Sequence, residues 1–260
     1  MKKYTAALWA ESLKVRKSGI FIATVFVFTL IPLMLGLIMY IAANPSIADK
    51  LGIIGTKAEL FGASNWIGYI LLLNQTIAVI GLIGFGFVTT WVFGREHSDR
   101  TLKDILALPV PRGTIVMAKL TVTALWCMVL AIVLYLAAFL LGKGIGIPGW
   151  SAALWKNFTY GYFTAVLLTL LLSTPVAWIT GLSRGLIAPL GFVILTMIIG
   201  QFTAVIGLGP YFPWTVPGLF ASGASGPGMQ TGIVSYTLLG LTFAAGLFLT
   251  LVWWQKADHH

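Results

Sequence analysis

GIFIATVFVFTLIPLMLGLIMYIAA, residues Gly19–Ala43, runs for 25 residues without a charged side chain. A helix rises 1.5 Å per residue, so crossing a hydrocarbon core of about 30 Å takes roughly 20 apolar residues. This stretch is long enough to cross, and it decides the class of the protein. It is too long for a removable leader, and no small-residue cleavage site follows it before Asn44-Pro45. Pro32 lies inside it, as membrane helices tolerate.

Working outward, five further segments have the same character: Trp66–Phe93, Ile115–Leu141, Phe158–Thr180, Leu186–Leu208 and Gly232–Trp254. The whole 260-residue chain agrees, with 58% hydrophobic and only 9% charged residues. A soluble domain carries roughly 25% charge, so too little is left here to face water. A mean hydropathy of +0.95 and 13% aromatic residues exclude disorder. Cys127 is the one cysteine, which excludes a disulfide framework and a multi-cysteine metal site. The expected fold is an all-α polytopic membrane protein with six transmembrane helices. Residues 1–18 form an interfacial helix, and 19–260 form one six-span domain with a cytoplasmic coupling segment at 94–114.

Loop charge sets the orientation. The net charge of +9 comes from 16 Lys and Arg against 7 Asp and Glu. With a cytoplasmic N-terminus, Lys2, Lys3, Lys14, Arg16, Lys17, Arg95, Arg100, Lys103, Arg112, Lys119, Arg184 and Lys256 fall inside. Lys50, Lys57, Lys143 and Lys156 fall outside. This bias places both termini in the cytoplasm, and it explains the basic balance without nucleic acid. Trp66, Trp91, Trp178, Trp253 and Trp254 sit at segment ends, where an amphipathic ring suits the interface.

All seven acids, Glu11, Asp49, Glu59, Glu96, Asp99, Asp104 and Asp258, fall in loops or termini on these boundaries. No Lys, Arg or His stands near a midplane. That argues against an ion-coupled carrier and a voltage sensor, which keep such a group despite its cost. There is no phosphate-binding G-x-x-x-x-G-K-[ST] loop, no H-E-x-x-H and no G-x-S-x-G. His97, His259 and His260 lack metal-ligand spacing, and the terminal pair reads as a tail. Asn74 and Gln75 lie about 12 Å below one end of the second segment, and Gln201 about 10 Å below the same end of the fifth. Two readings stand: they line one outward-facing cavity, or they make ordinary interhelical hydrogen bonds.

The longest inside loop, Gly94–Arg112, carries a short helix with a start and a stop. Thr101-x-x-Asp104 fits a capping box, and Pro109 and Pro111 end the run. Leu102, Ile105 and Leu106 form an apolar stripe beside Arg100, Lys103 and Asp104, suited to docking a protein or to lying among headgroups. In the basic stretch Lys2–Lys17, Tyr4, Leu8 and Val15 share a face, which reads as a helix held by anionic lipid. The uncharged Gly209–Gly218, rich in proline and aromatics, reads as a re-entrant cap or a plain loop.

The segment Phe93–Arg112 with Ala118-Lys119, the opening Glu11–Ser18 and the later Pro213–Pro217 together resemble ABC-2-type ABC transporter permeases. The similarity is strongest to the branch that includes lantibiotic and bacitracin self-protection exporters. The resemblance implies a permease subunit with no cofactor of its own, ATP and Mg being bound by a separate ATP-binding subunit. It also implies a second permease, identical or paralogous, and an amphipathic or hydrophobic cargo such as a peptide antibiotic or drug. By the same resemblance Arg100, Leu102, Lys103, Ile105 and Leu106 contact the ATPase. Two other classes stay open: an ion-coupled secondary carrier, and a non-transporting membrane sensor or assembly partner.

Overall fold

A computed structural model describes residues 2–44, 65–107, 109–183, 185–223 and 230–256, together with positions 46, 47, 50 and 52. Lys57, Arg184, the run 224–228 and the terminal His pair lie outside the described residues, as do the side chains of Lys103 and Leu106. Among the described residues helix is the only extended regular structure. The helices are α1 (Lys2–Arg16), α2 (Gly19–Ala43), α3 (Trp66–Ser98), α4 (Leu102–Leu106) and α5 (Arg112–Ile145). Then come α6 (Ala152–Leu171), α7 (Ser173–Ser183), α8 (Ile187–Val205), α9 (Val216–Ser222) and α10 (Ile233–Lys256). Six membrane crossings result, with α6 and α7 sharing the fourth.

Local chemistry explains the starts. Ser18, Asn65 and Ser151 each accept a hydrogen bond from an early backbone N–H of the helix they precede. The fourth crossing is broken where one continuous span is expected. Pro175 has no N–H to offer the carbonyl of Leu171, and the Thr174 hydroxyl stands within donating distance of that carbonyl at 3.2 Å and of the Phe243 carbonyl of α10 at 3.0 Å. Ser173 likewise donates to the Leu170 carbonyl at 2.6 Å.

α3 is the hub, packed against α2, α5, α6, α7, α8 and α9. The crossings of α3 and of the α6–α7 pair are 67% buried, those of α2, α8 and α10 only 17–22%. Those three outer helices therefore turn most of their apolar surface to lipid or to another chain. α10 crosses α7 at Gly246, where an added Cβ would stand 2.5 Å from the Pro175 nitrogen.

Three tryptophans correct the interfacial reading: Trp66, Trp91 and Trp254 are buried. Trp66 stacks edge-on against Tyr69 and Trp155, at the end of an aromatic cluster shared by α3, α5 and α6. In that cluster the hydroxyls of Tyr69 and Tyr162 donate to the Ala138 and Ala131 carbonyls of α5 at 3.0 and 2.8 Å. The rings there bury one another while the tyrosine hydroxyls keep a partner. The region after α8 folds back as two 3-10 turns, Gly209–Tyr211 and Pro213–Thr215, and then α9, which packs on α3 and α6. It is a re-entrant cap.

Candidate coupling site

At the end of the hub helix that meets both chain termini, α3 passes into α4 through a Schellman turn. The Thr101 N–H donates to the Glu96 carbonyl at 3.0 Å, and the Arg100 N–H to the His97 carbonyl at 3.4 Å. Arg100 stands at the left-handed position with φ 57°, the one non-glycine with positive φ among the described residues. Leu102 is buried in the core, and Ile105 packs half-buried against it. Leu102, expected to contact the ATPase, has its side chain in the core of the bundle, which holds so short a helix in place. Lys103 and Leu106 lie on α4 by their backbone. Exposed on its outer side are Arg100, Thr101, Asp104 and Ala107.

Beneath α4 is a group of charges that the sequence did not single out. α3 runs on to Ser98 and α5 starts at Arg112, so Glu96 and Lys119 belong to crossing helices and not to a loop. The expectation that all seven acids fall in loops or termini is corrected for Glu96. Lys119 is fully buried, and its Nζ donates to Glu96 Oε1 at 2.6 Å, Glu11 Oε2 at 3.2 Å and the Val92 carbonyl at 2.8 Å. Lys14 Nζ donates to Glu11 Oε1 at 2.6 Å and Glu96 Oε1 at 2.9 Å. The rings of Phe93 and Trp254 lie 5.9 and 6.0 Å from Lys119 Nζ. Two lysines and two glutamates cancel, which is how a bundle end can bury Lys119, Glu96 and Glu11 with Lys14 half-buried at their edge. Burial works to lower the Lys14 pKa, but Glu96 and Glu11 outweigh it and hold the ammonium above the ordinary lysine range.

α1 supplies two of the four charges, so it is docked on α5 through a buried polar face. The Tyr4 hydroxyl and Thr121 Oγ1 lie 2.8 Å apart at its other end, while Trp9 is exposed. The signal was present in the sequence: Glu11 falls on the same face as Tyr4, Leu8 and Val15, an acid inside an apolar stripe. Only the fold could supply Glu96 and Lys119 as its partners.

At the opposite end, Gln75 and Gln201 come together in a cavity of about 270 Å³ between α3, α8 and the re-entrant cap, with Met197, Trp214 and Thr215 in its wall. Asn74 is not part of it. It faces α6, with Nδ2 3.9 Å from where a Gly161 Cβ would stand. A second cleft of about 470 Å³, with apolar walls, opens between α2, α3 and α8.

The sequence profile of the ABC-2 family of transporter proteins matches residues 7–201. That interval takes in the buried charges, α4 and both cavity glutamines. The chain is also 30% identical over 206 residues to a bacitracin transport permease protein of Bacillus licheniformis, covering 78% of this chain and 93% of that one.

Proposed function

Because this chain belongs to the ABC-2 family of transporter proteins, we propose that it is the membrane-spanning half of an ATP-driven exporter. It is a transporter permease subunit rather than an enzyme, and a multi-pass protein of the cell membrane. The finer reading concerns partners, direction and cargo. A separate ATP-binding subunit binds ATP and Mg and docks on α4 from the cytoplasm, where the excess of Lys and Arg places both termini. A second permease covers the apolar faces left on α2, α8 and α10. An amphipathic or hydrophobic cargo, such as a peptide antibiotic or drug, leaves toward the opposite face.

The observation that carries this reading is the mounting of α4. A five-residue helix anchored by Leu102 at the end of the hub helix presents Arg100 and Asp104 outward. A rigid-body closure of the ATPase subunits would reach the crossing helices through that mount. Gln75 and Gln201 offer hydrogen bonds to cargo in an otherwise mainly apolar cavity. The test is co-purification with the ATP-binding subunit, using Arg100→Glu and Asp104→Arg. Loss of the complex and of ATP-dependent export is expected, and survival of both would overturn the docking assignment.

The buried charges give a second reading one observation in its favour, since an ion-coupled carrier needs such groups. Each of the four is already ion-paired within the cluster, which leaves none poised to exchange an ion. Uptake into liposomes driven by a pH or sodium gradient, without any ATPase, would shift the conclusion to that carrier.

A further inference from the structure

We infer that the Glu11–Lys14–Glu96–Lys119 cluster is a mechanical joint through which a displacement of α4 is delivered to α1, and from there to α2. The inference deepens the reading of α4 as the docking element. Glu96 belongs to both sides of the joint. Its main-chain carbonyl receives the Thr101 N–H that begins α4, and its carboxylate Oε1 receives Lys119 and Lys14 together. α4 therefore cannot tilt about its entry turn without pulling on Glu96. Glu96 in turn cannot move without disturbing α5 through Lys119 and α1 through Lys14. Arg95 adds a parallel link, with its guanidinium 3.4 Å from the Lys14 carbonyl.

Burial makes the joint stiff. Lys119 and Glu96 are withdrawn from water, where ionic contacts are not screened by salt and a lost partner leaves an uncompensated charge. Apolar side chains of similar size would hold the same helices together at least as firmly. What four hydrogen-bonded charges add is a fixed register between α1, α3 and α5. On the far side only Lys17 and Ser18 separate α1 from α2, and Ser18 Oγ caps α2 at the Ile20 N–H. α2 packs mainly along α5, so a moved α1 pulls on it from its first turn and loads its seam with α5. α1 is then a working part of the transmission rather than a strip held by lipid.

The first experiment needs only the intact chain in lipid nanodiscs. Leu102→Ala loosens α4, and amide hydrogen exchange is followed along α1. Exchange over residues 8–15 is expected to rise about tenfold, with the Trp66 end of α3 unchanged. In a Glu96→Gln/Lys119→Met background the same Leu102→Ala change should leave the exchange of residues 8–15 where that background sets it. The inference is overturned if α4 loosens while α1 does not respond, or if α1 responds equally in both backgrounds. The second experiment uses the assembled transporter carrying Glu11→Gln. Cargo moved per ATP hydrolysed should fall at least about fivefold, with hydrolysis kept within about twofold. A merely structural role would lower both together, and that result would also count against the joint. A wild-type chain with no ATP-dependent transport would refute the exporter reading and leave the exchange result to decide this one.

Discussion

Lys119 holds three acceptors from a fully buried position, so its loss can be anticipated from what it leaves behind. Lys119→Met strands Glu96 and Glu11 with Lys14 alone, and should lower unfolding stability in detergent by about 3–5 kcal/mol. Adding Glu96→Gln should recover part of that loss, because the uncompensated charge goes with it. The lysine on α1 has a pH signature. A pKa held above its unfolded value contributes stability below about pH 10.4, and that stability is lost as pH rises through the folded value. A spin label at the exposed position 9 should therefore report a docked α1 throughout the neutral range and release only above the ordinary lysine range. At the next turn, Arg100 combines a side chain with a strained backbone. Arg100→Gly relieves about 1 kcal/mol of left-handed strain while deleting the guanidinium. Lost ATPase capture with undiminished thermal stability would assign the effect to the side chain and not to the turn.

Between elements the tightest constraint is the crossing of α7 and α10. Gly246→Ala would press a methyl against the backbone at Thr174 and Pro175, and should cost about 1–3 kcal/mol in thermal unfolding. Gly240→Ala on the same helix meets nothing within 4 Å and serves as the neutral control. At this level much of the fold was legible, since twenty consecutive apolar residues announce a crossing whatever surrounds them. Gly19–Ala43 matches its expected ends, and the other five crossings lie where their segments do. The ends of α3 and α5 were not legible. Arg95, Glu96 and Arg112 look like loop residues when charge alone marks the limit of a span, yet each belongs to a helix that runs on past that limit. The break at Leu172 was equally hidden, because Pro175 permits an intact helix as readily as a kinked one until Thr174 and Ser173 are seen bonding the freed carbonyls.

For the molecule as a whole, the cavity at the end away from α4 offers a direct assay. Gly218 lines it with open space where a side chain would stand, so Gly218→Leu should fill part of the 270 Å³ without disturbing the backbone. Export should fall several-fold while the protein keeps its melting temperature. Unchanged export would remove this cavity from the pathway. Of this site the sequence revealed the depth of Gln75 and Gln201 but not their direction: a helix turns 100° per residue, and that rotation separates Asn74 from its neighbour. The charge cluster was less legible still, because Glu11 and Lys119 stand 108 positions apart. That separation also has a meaning in time. At 5–20 residues per second the ribosome finishes the ammonium about 5–20 s after the first carboxylate it will neutralise. Through that interval the nascent chain carries a half-made electroneutral knot at the membrane surface, and only correct insertion of the third crossing ties it. A permease whose third crossing fails is thereby left with two acids and Lys14 alone to answer them.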